Sequence, residues 1–182
     1  LEQLLRETAA GMDYSARSLE NLVAFRRRCA SEGVPFPAAT HNAFEFVLHL
    51  YFDVASLTAD MLGRPADLRA SLYARLAVLT IYEGTLTLQH LLGREFQSEV
   101  RALSGEEQLA AVREAHQELI KVFDLARSRF GEIRHGLAGH RDPDPDVRLH
   151  LVESATPRAV SDLVIAYLSA NLRLITHFAF YS

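Results

Sequence analysis

The chain has a single cysteine, Cys29, in 182 residues. An intrachain disulfide and a cysteine-built zinc site are therefore excluded. A reducing, cytoplasmic setting is the natural expectation. Lysine is almost absent too: of 19 lysines and arginines, all but Lys121 are arginine. Arginine's planar fork suits phosphate and carboxylate better than lysine does, although GC-rich coding bias explains the same composition. Long apolar runs are missing. Stretches such as "LAVLTIY" are far too short to span a bilayer, and no signal-peptide pattern is visible, so no membrane partner is expected. Excess positive charge is also lacking, the net charge being −4. Any RNA or DNA binding would have to use a local basic patch. There is no repeat, no low-complexity run, no glycine-rich phosphate loop and no serine-centred triad signature.

What is present is the balance of a globular chain, with 49% apolar and 23% charged residues. The length suits one domain, residues 1–182, with a real core. Apolar periodicity is helical nearly throughout. It predicts an all-α fold, an antiparallel helical bundle of four long helices plus short accessory helices. The first long helix is expected over 15–31, with Leu19, Leu22, Val23 and Cys29 inward, after a short turn of helix over 2–10 that stops before Gly11. Gly33, Pro35 and Pro37 break the chain, and Thr40 reads as an N-cap. The second helix is expected over 41–62, with Phe44, Val47, Leu48, Tyr51, Val54, Ala55, Met61 and Leu62 inward and Gly63 at its C-cap. The third is expected over 67–92, with Leu68, Leu72, Leu76, Leu79, Leu86 and Leu91 inward. Gly93 interrupts it, a short helix follows to Leu103, and Ser104 with Glu107 forms a capping-box pattern.

The fourth helix has the clearest pattern. Leu109, Val112, His116, Leu119, Phe123, Ala126, Phe130, Ile133, Leu137 and His140 recur by threes and fours. Beside this stripe run Arg113, Arg127, Arg134 and Arg141, of which Arg113 and Arg127 are expected to pair with carboxylates of a neighbouring helix. Pro143 and Pro145 end the helical pattern. "VRLHLV" (147–152) alternates as a brief extended stretch, and Pro157 fits the first turn of a last helix to about residue 180.

The end of the fourth helix carries more chemistry than a helix terminus needs. "RHGLAGHRD" holds two arginines, two histidines and two glycines, whereas a C-cap needs one glycine and a cation. On an ideal helix Arg134 and His140 point about 120° apart. Gly136 and Gly139 make a distorted last turn cheap, and such a turn brings the two side chains together.

Arg134-His135-Gly-Leu-Ala-Gly-His140 resembles the signature of HEPN domains (higher eukaryote and prokaryote nucleotide-binding), an arginine, a polar residue and a histidine four to six residues after the arginine. Position 135 holds histidine where many members carry asparagine. "GLAGHRDPD" also resembles the "AHRD" ending of an abortive-infection subgroup. The motif spans about ten residues, and the helical layout extends the likeness more loosely over the chain. The resemblance implies metal-independent RNA cleavage, without a cofactor, by a homodimer whose two motifs line one cleft. It implies a toxin or phage-defence role, with an antitoxin protein as a possible further partner. In this reading Arg134 and His140 are catalytic, and His135, Arg141, Glu83 and Arg127 bind substrate or support them. The alternative within the family is a non-catalytic module that binds nucleotide, RNA or protein.

Two further features call for chemistry. Glu83 falls on the stripe Leu76, Leu79, Leu86, where a carboxylate needs a partner. The expectation is a buried acid that pairs with a fourth-helix cation, Arg134 above all. His41, Glu45, His49 and Asp53 recur every four residues on the second helix, so a metal-binding bundle using His41, Glu45 and His49 is a third reading. A solvated or partly buried polar edge explains the same row. His116 and Asn171 read as hydrogen-bonded core residues.

Overall fold

The computed structural model describes residues 2–65, 67–133 and 154–178, which are mostly helical with no strand among them. The elements are α1 (Glu2–Glu32), α2 (Ala38–Leu62), α3 (Leu68–Leu91), α4 (Arg94–Ile133) and α5 (Pro157–His177). Helix α2 touches each of the other four and is the element about which the core forms. Its predicted face is buried through Phe44, Val47, Leu48, Tyr51, Val54, Ala55 and Met61.

Helix α1 runs on through the expected break at Gly11. This glycine is a point of contact, not a stop: a Cβ there would lie 2.0 Å from the Tyr51 hydroxyl. Of the four residues expected inward on α1, Leu22 and Cys29 are buried and Leu19 partly so, but Val23 is 47% exposed.

The start of α2 also differs from expectation. Thr40 lies inside the helix, and Pro37 stands at the N-cap with no side-chain bond. The capping acceptor comes from far along the chain. The Glu99 carboxylate accepts from the backbone N–H of Thr40 at 2.7 Å, from that of Ala39 at 3.3 Å and from the Thr40 hydroxyl at 3.0 Å. It thereby satisfies donors that a helix leaves unpaired in its first turn. Glu99→Ala is expected to lower stability by about 1–2 kcal/mol, the usual scale for a lost cap. Urea unfolding of the two proteins checks this, and an unchanged midpoint would show that the cap contributes nothing.

Helix α3 begins as predicted. Asp67 at its N-cap accepts from Arg69 and Ala70 N–H, both at 2.9 Å. Those bonds hold its carboxyl below the ordinary carboxylate range. The helix is rotated from the expected phase, however. Leu68, Leu72 and Leu76 are 78%, 45% and 39% exposed. The buried face is Ala70, Ala74, Ala77, Val78, Ile81, Gly84, Thr85 and Leu88. Close approach to α2 explains the choice, since a Cβ on Gly84 would lie 2.3 Å from Leu50 Cδ1. Small side chains let the two backbones near each other, and a leucine row would hold them apart.

Gly105, at φ 85° and ψ 179°, breaks α4 into two helical stretches, 94–104 and 106–133, close to the boundary read at Ser104. In the second stretch Leu109, Val112, Leu119, Phe123, Ala126 and Phe130 are buried as predicted. Tyr82 of α3 meets Phe123 at 5.0 Å between ring centroids. Thr156 caps α5, accepting from Ala159 N–H at 3.3 Å, and Pro157 occupies its first turn. Helix α5 is long and apolar enough, by length and composition, to cross a membrane. Half of that stretch is buried in the fold, Val160, Leu163, Val164, Tyr167, Leu168, Leu174 and Ile175 among it.

Candidate functional site

Arg134, His135, His140 and Arg141 lie outside the described residues, as does the stretch 147–152. The described chain leads directly to them: the second stretch of α4 stays helical to Ile133, one residue before Arg134. Near this end Phe130 is buried in the core. Among the described residues, nothing lies within 4 Å of where a Cβ on Gly131 would stand.

Arg127 is exposed, and its guanidinium lies 3.6 Å from Asp124, a residue of its own helix. The expected carboxylate on a neighbouring helix is not its partner. Arg113 likewise bonds to the amide oxygen of Gln97, not to an acid. Among the described residues an ion pair joins α4 to α5 through other side chains: Arg173 Nη1 lies 2.7 and 2.9 Å from the two oxygens of Glu118.

Glu83 is solvent-exposed, which overturns the expectation of a buried acid. The rotation of α3 is the cause. It turns Tyr82 towards α4 and brings Glu83 into the lining of a cavity of about 280 Å³ between α2 and α3, with His49, Asp53, Thr80 and Thr87. The cost of an uncompensated buried charge therefore does not arise at Glu83.

The histidine row of α2 is real but does not close round one ion. His41 Nε2 lies 3.7 Å from one oxygen of Glu45, and His49 Nε2 lies 4.0 Å from the other. The two histidines are two turns apart, about 12 Å along the helix axis. Among the described residues, no group of three or more histidine, cysteine or acidic side chains is arranged to hold a metal. His41 is nonetheless unusual. It is only 2% exposed, its Nδ1 has no hydrogen-bond partner among the described residues, and the Phe36 ring meets it edge-on at 4.6 Å. Burial depresses its pKa. Glu45 opposes that shift and Arg26, from α1, adds to it.

His116 is half-buried on α4, and its Nε2 lacks a partner among the described residues, contrary to the hydrogen-bonded reading. Burial lowers its pKa as well. Asn171 is buried as expected and donates to the Tyr167 hydroxyl at 3.3 Å, while its own oxygen is unpaired among the described residues. Tyr167 also bonds with Thr85, and burial drives its pKa upward.

The two histidines make stability pH-dependent in a defined direction. Each has a folded pKa below its unfolded value of 6.5. Between these values the unfolded chain binds more protons, so stability is full above about pH 6.5 and falls as pH drops towards the folded values. Urea midpoints measured at pH values on either side of 6.5 should fall on the acid side, and His116→Leu should flatten that fall. A midpoint independent of pH across this range would contradict the burial of both rings.

Sequence reasoning missed Glu99 as a cap because its targets lie about sixty residues away, with no local signal. It missed the cavity beside Val23 because apolar periodicity marks that residue as core. Comparison with known proteins finds no matching family model, no matching curated protein and no matching solved structure.

Proposed function

We propose that this chain is a HEPN-like, metal-independent endoribonuclease, acting as a homodimeric toxin or phage-defence effector in the cytoplasm. One observation carries the reading. Arg134-x5-His140 begins at the residue after a long core-packed helix ends, in a chain whose described residues are mostly helical, with no strand among them. The described helices would form an antiparallel bundle, with α4 and α5 side by side. Supporting this, Glu118 of α4 pairs with Arg173 of α5, and Gln108 bonds to the His177 carbonyl.

The residue chemistry suits cleavage through the ribose 2′-OH. His140 exchanges protons near neutral pH, taking one from the hydroxyl or giving one to the leaving oxygen. Arg134 stabilises charge that develops on the phosphate. His135 orients one of these groups or contacts substrate, and Arg141 holds the RNA backbone. Arg127, solvent-exposed about two turns before the motif, adds positive charge on the approach. Glu83, on an exposed part of α3, keeps the supporting role that the resemblance gives it. A chain of net charge −4 must concentrate its cations to hold RNA, and two-fold pairing of motifs doubles the local charge.

The test is cleavage of mixed RNA in excess EDTA. Undiminished cleavage is expected, and cleavage abolished by the chelator would contradict a metal-free site. Purified chain that binds RNA without cutting any tested substrate would favour the non-catalytic module instead.

A further inference from the structure

A cavity of about 460 Å³ opens between α1 and α2. That volume lies within the range of small-molecule sites. One wall is apolar, formed by Leu19, Leu22 and Val23 of α1. Leu22 is buried, while Val23 is 47% exposed. The facing wall is the row His41, Glu45 and His49 of α2.

The polar wall offers acceptors. His41 is almost wholly buried, and burial keeps it neutral at pH 7. The Glu45 carboxylate stands 3.7 Å from Nε2, too far for a hydrogen bond but close enough to favour the proton on that nitrogen. Nδ1 then carries the lone pair, and it has no partner among the described residues. Buried polar atoms in native proteins are rarely left so, because an unmade hydrogen bond costs free energy. Glu45 is 43% exposed and, as a carboxylate, only accepts.

From this juxtaposition we infer that the α1–α2 cavity binds a small molecule with an apolar ring and adjacent N–H donors, of the aryl amidine or amino-heteroaromatic class. The donor fork meets the Glu45 carboxylate in the paired geometry that makes charge-assisted bonds strong. A further N–H reaches His41 Nδ1 and satisfies it. The ring lies along Leu19 and Val23, removing their apolar surface from water. An anionic or acceptor-only ligand would instead face a carboxylate and a lone pair. Arg27 alone among the described lining residues carries a fixed positive charge and could favour such a ligand. The proposal does not depend on RNA cleavage.

The experiment titrates the intact chain with benzamidine, with benzoate as a probe of similar size and opposite charge. Histidine side-chain and backbone amide resonances are followed by NMR. Benzamidine is expected to bind in the millimolar range and shift His41, His49 and Val23, whereas benzoate leaves them unmoved. Glu45→Gln keeps the size of a half-exposed side chain and is expected to weaken binding about tenfold. Val23→Arg fills the groove from an exposed position and is expected to abolish binding with the helical circular-dichroism signal unchanged. Three results would each overturn the proposal: no benzamidine shift at these residues, benzoate binding there at least as strongly, or wild-type benzamidine affinity in both variants.

Discussion

Arg134→Ala and His140→Ala are each expected to lower RNA cleavage by about 100-fold or more, with helical content retained. The scale follows from the assigned roles. A positioned general acid or base contributes about 10²–10⁴ in rate, and removing one donor that stabilises developing charge costs about 10²–10³. The double variant should be little worse than either single one, because the two groups serve one chemical step. Retained structure is expected because the core of α4 is closed by residues before the motif, from Leu109 to Phe130. Single-turnover cleavage of one RNA by the four proteins, with circular dichroism alongside, measures all of this. Strictly multiplicative losses would mean that the residues act in separate steps. Rates equal to wild type would leave the motif as a helix terminus or a binding patch.

The largest stability effect is expected at Phe44. Its ring stacks on Phe178 at 5.0 Å and an interplanar angle of 3°, and Phe178 meets Phe96 at 5.7 Å. All three rings are almost wholly buried. They tie α2, the first stretch of α4 and the C-terminal end of α5 into one contact. Phe44→Ala should cost about 3–5 kcal/mol, the range for truncating a buried aromatic residue. That is a large part of the roughly 5–15 kcal/mol that holds a typical domain together. Phe52→Ala, on the same helix but 40% exposed, should cost less than about 1 kcal/mol. Urea unfolding of both variants separates the two cases. Similar losses would show that the ring cluster is not the anchor of the core.

The parts of the fold legible in the sequence are those where large side chains decide burial. The faces of α2 and the second stretch of α4 were readable because Phe44, Leu48, Leu119 and Phe123 repeat at helical spacing and are buried. The start of α5 was readable from Pro157, since proline chemistry is local. Helix α3 was misread in phase because leucine outweighs alanine in any apolar count. Packing against α2 instead selected the small face, Ala70, Ala74, Ala77 and Gly84, where close approach of backbones matters more than side-chain size. That error moved Glu83 from the expected interior to the surface. Gly11 was misread for a related reason: a glycine that admits Tyr51 looks, in sequence, like one that ends a helix. The candidate site was legible only as a motif. Spacing brings Arg134 and His140 to notice, but it carries no information on what packs around them.

The central claim is that this chain cuts RNA through the ribose 2′-OH, using its own arginine and histidine. The most direct measurement is mass spectrometry of the fragments from a defined RNA cleaved in EDTA, beside the same oligomer carrying a single 2′-deoxynucleotide at the cut site. The account predicts a 2′,3′-cyclic phosphate, or its opened 2′- or 3′-phosphate, on the upstream fragment, and no cut at the deoxy position. A 3′-hydroxyl on the upstream fragment, or equal cleavage at the deoxy position, would contradict it.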